Sequence, residues 1–229
     1  MSISQHAVQA INAEVRALAP DRPVTVVAVS KTQPAVRLRE AFALGLSVFG
    51  ENYVQEALDK QAQLLDLPIE WHFIGPLQSN KTRPVAEQFA WVHSVDRLKL
   101  AERLSAQRPP HLAPLQVCLQ VNVSGEESKS GVAPADVLAL AQAVQVLPGL
   151  RLRGLMAIPE PSTDQALLRA RFALLRTLLH QLAAQGLPVD TLSMGMSADY
   201  PLALQEGATH IRIGSALFGA RPPRSPAQD

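Results

Sequence analysis

Three groups of residues in this chain have the types and positions to act on one ligand together. The first is Lys31, which ends the run Val24-Thr-Val-Val-Ala-Val-Ser-Lys31. A run this apolar reads as a strand buried on both faces, as in parallel sheets and barrels. An ammonium held against an apolar wall is disfavoured in its charged form, so its pKa falls and the amine becomes a nucleophile. That is the setting of a Schiff-base lysine; the plainer reading is a lysine that snorkels from the strand end into water. The second group is a pair of small-residue turns, Gly195 with Ser197 and Gly214-Ser215. Backbone N–H groups at a helix start with a hydroxyl beside them suit a phosphate dianion, and glycine lets the main chain approach it. Two ordinary turns are the plainer reading. The third is Arg212, in His210-Ile-Arg-Ile-Gly214, which alternation sets on the opposite strand face from Ile211 and Ile213. A buried guanidinium needs a partner. It either pairs with an acid such as Glu51 or Asp199, or donates to a ligand's ring nitrogen and keeps that nitrogen unprotonated. A nucleophilic amine, a phosphate cradle and a ring-nitrogen donor together match pyridoxal 5′-phosphate (PLP).

Positioning them requires elements that alternate. Val8, Ile11, Val15 and Leu18 predict an amphipathic N-terminal helix ended by Pro20. Strand patterns follow at 24–30, 47–50, 69–75, 91–94, 115–123, 152–158, 191–194 and 210–213. Helical patterns lie between them at 35–44, 54–65, 81–89, 98–106, 134–146, 164–185 and 198–206. Eight strands joined by helical crossovers give an α/β chain of the closed (β/α)8 barrel kind, with an extra N-terminal helix. An open doubly wound sheet is disfavoured, because Lys-Thr-Gln-Pro and no glycine follows the first strand. Barrels collect function at the C-terminal strand ends, and the unusual polar residues fall there. They include Lys31, Glu51-Asn52, Gln78-Ser-Asn-Lys81, the 122–131 loop and the two small-residue turns. The barrel is expected over residues 1–220, with 221–229 a disordered tail.

Composition narrows the classes. At 229 residues and 47% hydrophobic content the chain can bury a full core. A net charge of +1 and 4% aromatic residues argue against a nucleic-acid partner. No stretch reads as a signal core or membrane span. The lone Cys118, set in an apolar run, offers no intramolecular disulfide and fits a reducing, cytoplasmic setting, most simply as a small core hydrophobe. The six histidines show no metal-ligand spacing, and 195–199 lacks the Gly-x-Ser-x-Gly pattern of a hydrolase elbow.

Longer motifs carry a resemblance. They include Val27-Ala-Val-Ser-Lys-Thr-Gln-Pro34, Phe49-Gly-Glu-Asn-Tyr-Val-Gln-Glu56 and Trp71-His-Phe-Ile-Gly-Pro-Leu-Gln-Ser-Asn-Lys81. They continue with Val121-Asn-Val-Ser-Gly-Glu-Glu-Ser-Lys-Ser-Gly131, Gly154-Leu-Met-Ala-Ile-Pro159, Leu192-Ser-Met-Gly-Met-Ser-Ala-Asp199 and Ile211-Arg-Ile-Gly-Ser-Ala-Leu-Phe-Gly219. In these the chain resembles the YggS/PROSC family of PLP homeostasis proteins over nearly its whole length. The resemblance implies an alanine-racemase-type barrel standing alone, with Lys31 as the PLP lysine. It implies Ser197, Gly214 and Ser215 around the phosphate, and Asn52, Met194 and Arg212 along the ring. Ser215 stands where threonine is common, which keeps the hydroxyl, and Tyr200-Pro201 puts the helix start after Asp199 in question.

An arginine at the ring nitrogen makes a weaker electron sink than a pyridinium, and racemisation needs an acid–base group on each face of the substrate. Eight βα units leave no room for the second domain that supplies a tyrosine in the racemases, so Tyr53, Tyr200 and His72 are the candidates to hand. For His72 a satisfied interior histidine is the simpler reading. The expectation is therefore a monomeric PLP carrier that limits free PLP and passes it to apo-enzymes. An amino-acid racemase is the alternative, and a cofactor-free aldolase using Lys31 on a sugar phosphate is a third reading. Lys129 or Lys81 could give PLP a transient second attachment on its way out.

Overall fold

The computed structural model describes residues 3–125 and 130–219; Lys129 and the tail expected at 221–229 lie outside the described residues. Helix α1 (Gln5–Leu18) buries Val8 and Ile11 along the face their spacing predicts, and Ser4 caps it by accepting from Ala7 N. Eight strand–helix units follow. They are β1 (Thr25–Val29) and α2 (Ala35–Ala43), β2 (Val48–Glu51) and α3 (Val54–Gln63), β3 (Glu70–Phe73) and α4 (Thr82–Gln88), and β4 (Trp91–Val95) and α5 (Leu98–Gln107). The second half holds β5 (Leu115–Gln120) and α6 (Val137–Gln145), β6 (Leu150–Met156) and α7 (Gln165–Ala184), β7 (Thr191–Met196) and α8 (Tyr200–Gln205), and β8 (His210–Ile213) and α9 (Ser215–Phe218). The strands pair in parallel in sequence order, and β1 pairs with both β2 and β8, which closes the barrel.

Alternation along each strand divides the apolar residues between two cores. Outward residues such as Phe49, Phe73, Leu119 and Ile211 pack with Leu38, Leu100 and Phe172 of the helices in one continuous layer. Inside the barrel Trp91, Cys118 and Met156 form a separate small cluster. Cys118 is fully buried there and its thiol is pushed up to about 12, so it behaves as a small apolar side chain.

Three sequence expectations shift locally. The strand expected at 115–123 ends at Gln120, and Val121 continues only as an isolated bridge to Val132. The helix expected at 134–146 begins as a 3-10 turn, Pro134–Asp136, before α6. Helix α8 begins at Tyr200, because Pro201 in a first turn needs no N–H partner. The four-residue α9 is too short for periodicity to announce it.

Candidate functional site

Parallel register brings the C-terminal strand ends together. Ala28 pairs with Phe49 and Val29 with Gly50, so Lys31 runs on beside Asn52. On its other side Val27 pairs with Arg212 and Ala28 with Ile213, which carries Lys31 alongside Gly214 and Ser215. Lys31, Gly214 and Ser215 line one small cavity with Val29, Gln33 and Phe218. Lys31 itself is half-buried, as an amine that must both avoid full hydration and reach a ligand should be.

The turn that holds Lys31 is strained and braced. Thr32 has φ +66°, a left-handed conformation that a β-branched residue rarely adopts. Its N–H donates to Glu56 Oε1 at 2.5 Å. On the other flank Ser30 Oγ donates to Glu51 Oε1 at 2.6 Å. Lys60 of α3 ties the two sides together by donating to Ser30 O at 2.7 Å, Glu51 Oε1 at 2.7 Å and Glu56 Oε1 at 2.6 Å. Burial raises the Glu51 carboxyl above its ordinary range, against the pull of Lys60 and Ser30. Both neighbours of Lys31 are thus fixed by one buried ionic cluster.

Strand β7 supplies the facing wall. Gly195 has φ +92°, and a Cβ there would lie 2.7 Å from the Ala203 Cβ, so only glycine turns the chain at this point. Beyond it Ser197 Oγ accepts from Gly214 N at 3.3 Å and from Ala216 N at 3.4 Å. Two backbone donors therefore converge on one oxygen at the start of α9. The Asp199 carboxyl, raised by burial, accepts from Met196 N at 2.6 Å.

Asn52 follows β2, and its Oδ1 is buried without a hydrogen-bond partner. Gly75 lets the chain after β3 pass it: a Cβ there would come within 2.5 Å of Asn52 O. Thr32 Oγ1 is orphaned in the same way. Buried polar atoms rarely go unpaired, so these two, beside Lys31, point to a missing polar ligand.

Arg212 is 3% exposed. It donates to Ser193 Oγ at 2.7 Å and to Ala157 O at 2.9 Å. Of the acids that the sequence offered as partners, Glu51 is bound to Lys60 and Asp199 to Met196 N. Burial pulls the guanidinium down to about 10, where it remains a cation at neutral pH. Met194 is fully buried within the main apolar layer.

The remaining sequence candidates go elsewhere. Tyr200 OH donates to Glu14 on α1, and burial with that carboxylate raises the phenol to about 12. His72 is fully buried and bound to Glu70 and His93, the satisfied interior histidine of the simpler reading. Tyr53 is exposed, and Lys81 sits exposed at the end of the 3-10 turn Ser79–Lys81. Among the described residues no group of three or more His, Cys, Asp or Glu is placed to hold a metal. No helix among them is long and apolar enough to cross a membrane.

Residues 3–222 match the model of the alanine racemase N-terminal domain. A pyridoxal phosphate homeostasis protein of Pseudomonas aeruginosa is 67% identical over 207 residues, which is 90% of this chain and 89% of its own. The chain belongs to the family of pyridoxal phosphate homeostasis proteins. A member from Escherichia coli is 50% identical over 86% of each chain. PipY of Synechococcus elongatus, solved with PLP bound, is 42% identical with a TM-score of 0.85, over 94% of this chain and 99% of that one. Alanine racemase of Corynebacterium glutamicum, 16% identical, aligns over 99% of this chain and 64% of its own at a TM-score of 0.71, a likeness of fold alone.

Two parts of the site escaped the sequence reading. Lys60 shares the buried face of α3 with Ala57, and Glu56 precedes it by four residues, a spacing that signals the pair but not its burial. His93 and Ser193 lie on the strand faces that point into the barrel with His72 and Arg212, a phase visible once the strands are numbered.

Proposed function

We propose that the chain binds PLP at the C-terminal mouth of the barrel and acts in PLP homeostasis as a carrier. The observation that carries this reading is that Lys31, Gly214 and Ser215 line one and the same small cavity. PLP supplies an aldehyde that an amine can capture reversibly, and a phosphate at the far side of its ring. Lys31 is the capturing amine, set by the ionic cluster beneath it. Ser197, Gly214 and Ser215 receive the phosphate, since two N–H donors already converge there on an oxygen. Asn52 and Arg212 flank the ring, the former with an unpaired oxygen and the latter with a fixed cation. Met194 backs that wall from within the apolar layer. The names of the relatives and the PLP-bound PipY structure support the same ligand.

A racemase needs an acid–base group opposite the lysine. Tyr200 is committed to Glu14 and His72 to the barrel interior, so the carrier reading is the stronger. The carrier works as a monomer in the reducing cytoplasm, as the lone Cys118 suggests, and hands PLP to apo-enzymes, with Lys81 at the mouth as a station on the way out.

The test loads the purified full chain with PLP, reduces it with borohydride and maps the labelled peptide. The expected label is on Lys31, is lost in Lys31→Ala, and comes with transfer of unreduced PLP to an added apo-enzyme. A label elsewhere that survives Lys31→Ala would overturn the site. Steady α-deuteration of L-alanine in D2O would overturn the carrier reading.

A further inference from the structure

From Arg212 a chain of polar groups that the binding site does not use directly runs on through the barrel interior. Arg212 Nη1 donates to Ser193 Oγ at 2.7 Å. Ser193 Oγ lies 2.7 Å from His93 Nδ1, His93 Nε2 lies 2.9 Å from His72 Nδ1, and His72 Nε2 lies 2.8 Å from Glu70 Oε1. Ser193, His93 and His72 are all fully buried, while the Glu70 side chain is half exposed at the start of β3.

The donors can be assigned from one end. Arg212 has only protons to give, so Ser193 accepts from it. The buried Ser193 proton then goes to His93 Nδ1, its other neighbour in the chain. A neutral His93 whose Nδ1 accepts must carry its proton on Nε2 and give it to His72 Nδ1. By the same rule His72 carries its proton on Nε2 and gives it to the Glu70 carboxylate. Burial holds both rings below their ordinary pKa and therefore neutral, with His93 lowered furthest, while the bond from His72 keeps Glu70 ionised. His210, whose ring lies 5.9 Å from His93 and 6.1 Å from His72, is neutral as well. Every bond thus runs the same way, from the cation to the carboxylate, and each polarises the next.

We propose that Ser193, His93 and His72 are positioning residues, which hold Arg212 in one orientation toward the cofactor ring through a one-way hydrogen-bond chain ending on Glu70. The proposal rests on the PLP reading for what Arg212 faces, but not for the chain itself. Two of the five guanidinium N–H donors are spent on Ser193 and Ala157, which fixes the plane of the group and leaves the others for a ligand. No proton has to move; the chain sets direction only.

The test has two arms. Long-range 1H–15N NMR of labelled wild-type protein, without and with PLP, reads the tautomers. His72 and His93 are expected neutral, each with a bare Nδ1 and a protonated Nε2. A proton on Nδ1 of either ring, or a doubly protonated ring, overturns the proposal whether or not PLP binds. In the second arm His93→Leu, which breaks the chain, should release PLP about tenfold faster and shift its bound absorption band. His93→Gln can accept through its amide oxygen and donate through its nitrogen, and should release PLP within about twofold of wild type. Equal release by both variants overturns the proposal, and if His93→Leu does not fold, the tautomers decide it. Failure of wild type to take up any PLP would instead overturn the functional reading.

Discussion

At the residue scale the decisive feature is a lysine whose neighbours are more tightly fixed than a surface turn requires. Thr32 at φ +66° costs about 1 kcal/mol or more relative to a residue at ease there, and its buried hydroxyl is unpaired. Thr32→Gly removes both costs. Its urea midpoint should rise by the equivalent of about 1 kcal/mol, while PLP binds more weakly because the turn loses its single conformation. A variant that gained stability and kept its PLP affinity would show that the strain serves nothing, and one that lost stability would show that there was none to relieve. Among the described residues Thr32 is the non-glycine with a left-handed φ, and it sits next to Lys31, where a ligand can use a preset geometry. The sequence made Lys31 legible through the apolar run before it. It did not reveal the strain, since nothing in Lys-Thr-Gln-Pro announces a left-handed threonine.

At the element scale α3 does more than cover the sheet. Lys60 reaches from it to the ends of β1 and β2, and its pair with Glu51 is buried on both sides. Removing one partner of such a pair leaves a naked charge, so Lys60→Met should cost about 3–5 kcal/mol in chemical denaturation. Adding Glu51→Gln removes the stranded charge, and the double variant should recover most of the loss. Equal losses for the single and double variants would mean that packing, not charge, matters here. The order and kind of the elements were readable because short apolar strand runs alternate with helices that carry a stripe of buried apolar residues. The 210–213 strand agrees to the residue. Ends were harder to place: whether Val121 stays in the sheet depends on its neighbour Val132, a contact that periodicity does not encode. Gly214 and Ser215 stand out in the sequence as a small-residue turn and line the cavity with Lys31, whereas the clamp under Lys31 needs three elements in contact and shows only in the fold.

At the scale of the whole molecule the two cores differ in chemistry. The outer one is apolar, and the inner one adds neutral histidines, which makes the fold sensitive to acid. Burial pulls His210 down to about 3, while the unfolded chain takes up its proton near the ordinary 6.5. Below pH 6.5 the unfolded state therefore binds the extra proton, and native stability falls as pH drops toward 3. For His210 the slope reaches about 1.4 kcal/mol per pH unit. Glu51, raised by burial, acts in the opposite sense above its ordinary value, so the comparison that isolates the effect is wild type against His210→Gln. Denaturation at pH 7, 6 and 5 should show a shallower loss in the variant, and parallel slopes would refute it. Closure has a different consequence. Because β1 hydrogen-bonds to β8 as well as to β2, the first strand to leave the ribosome waits for the last before its ladder is complete. Until then a nascent chain carries two open sheet margins, and its hazard of sticking to other chains ends only when β8 has emerged.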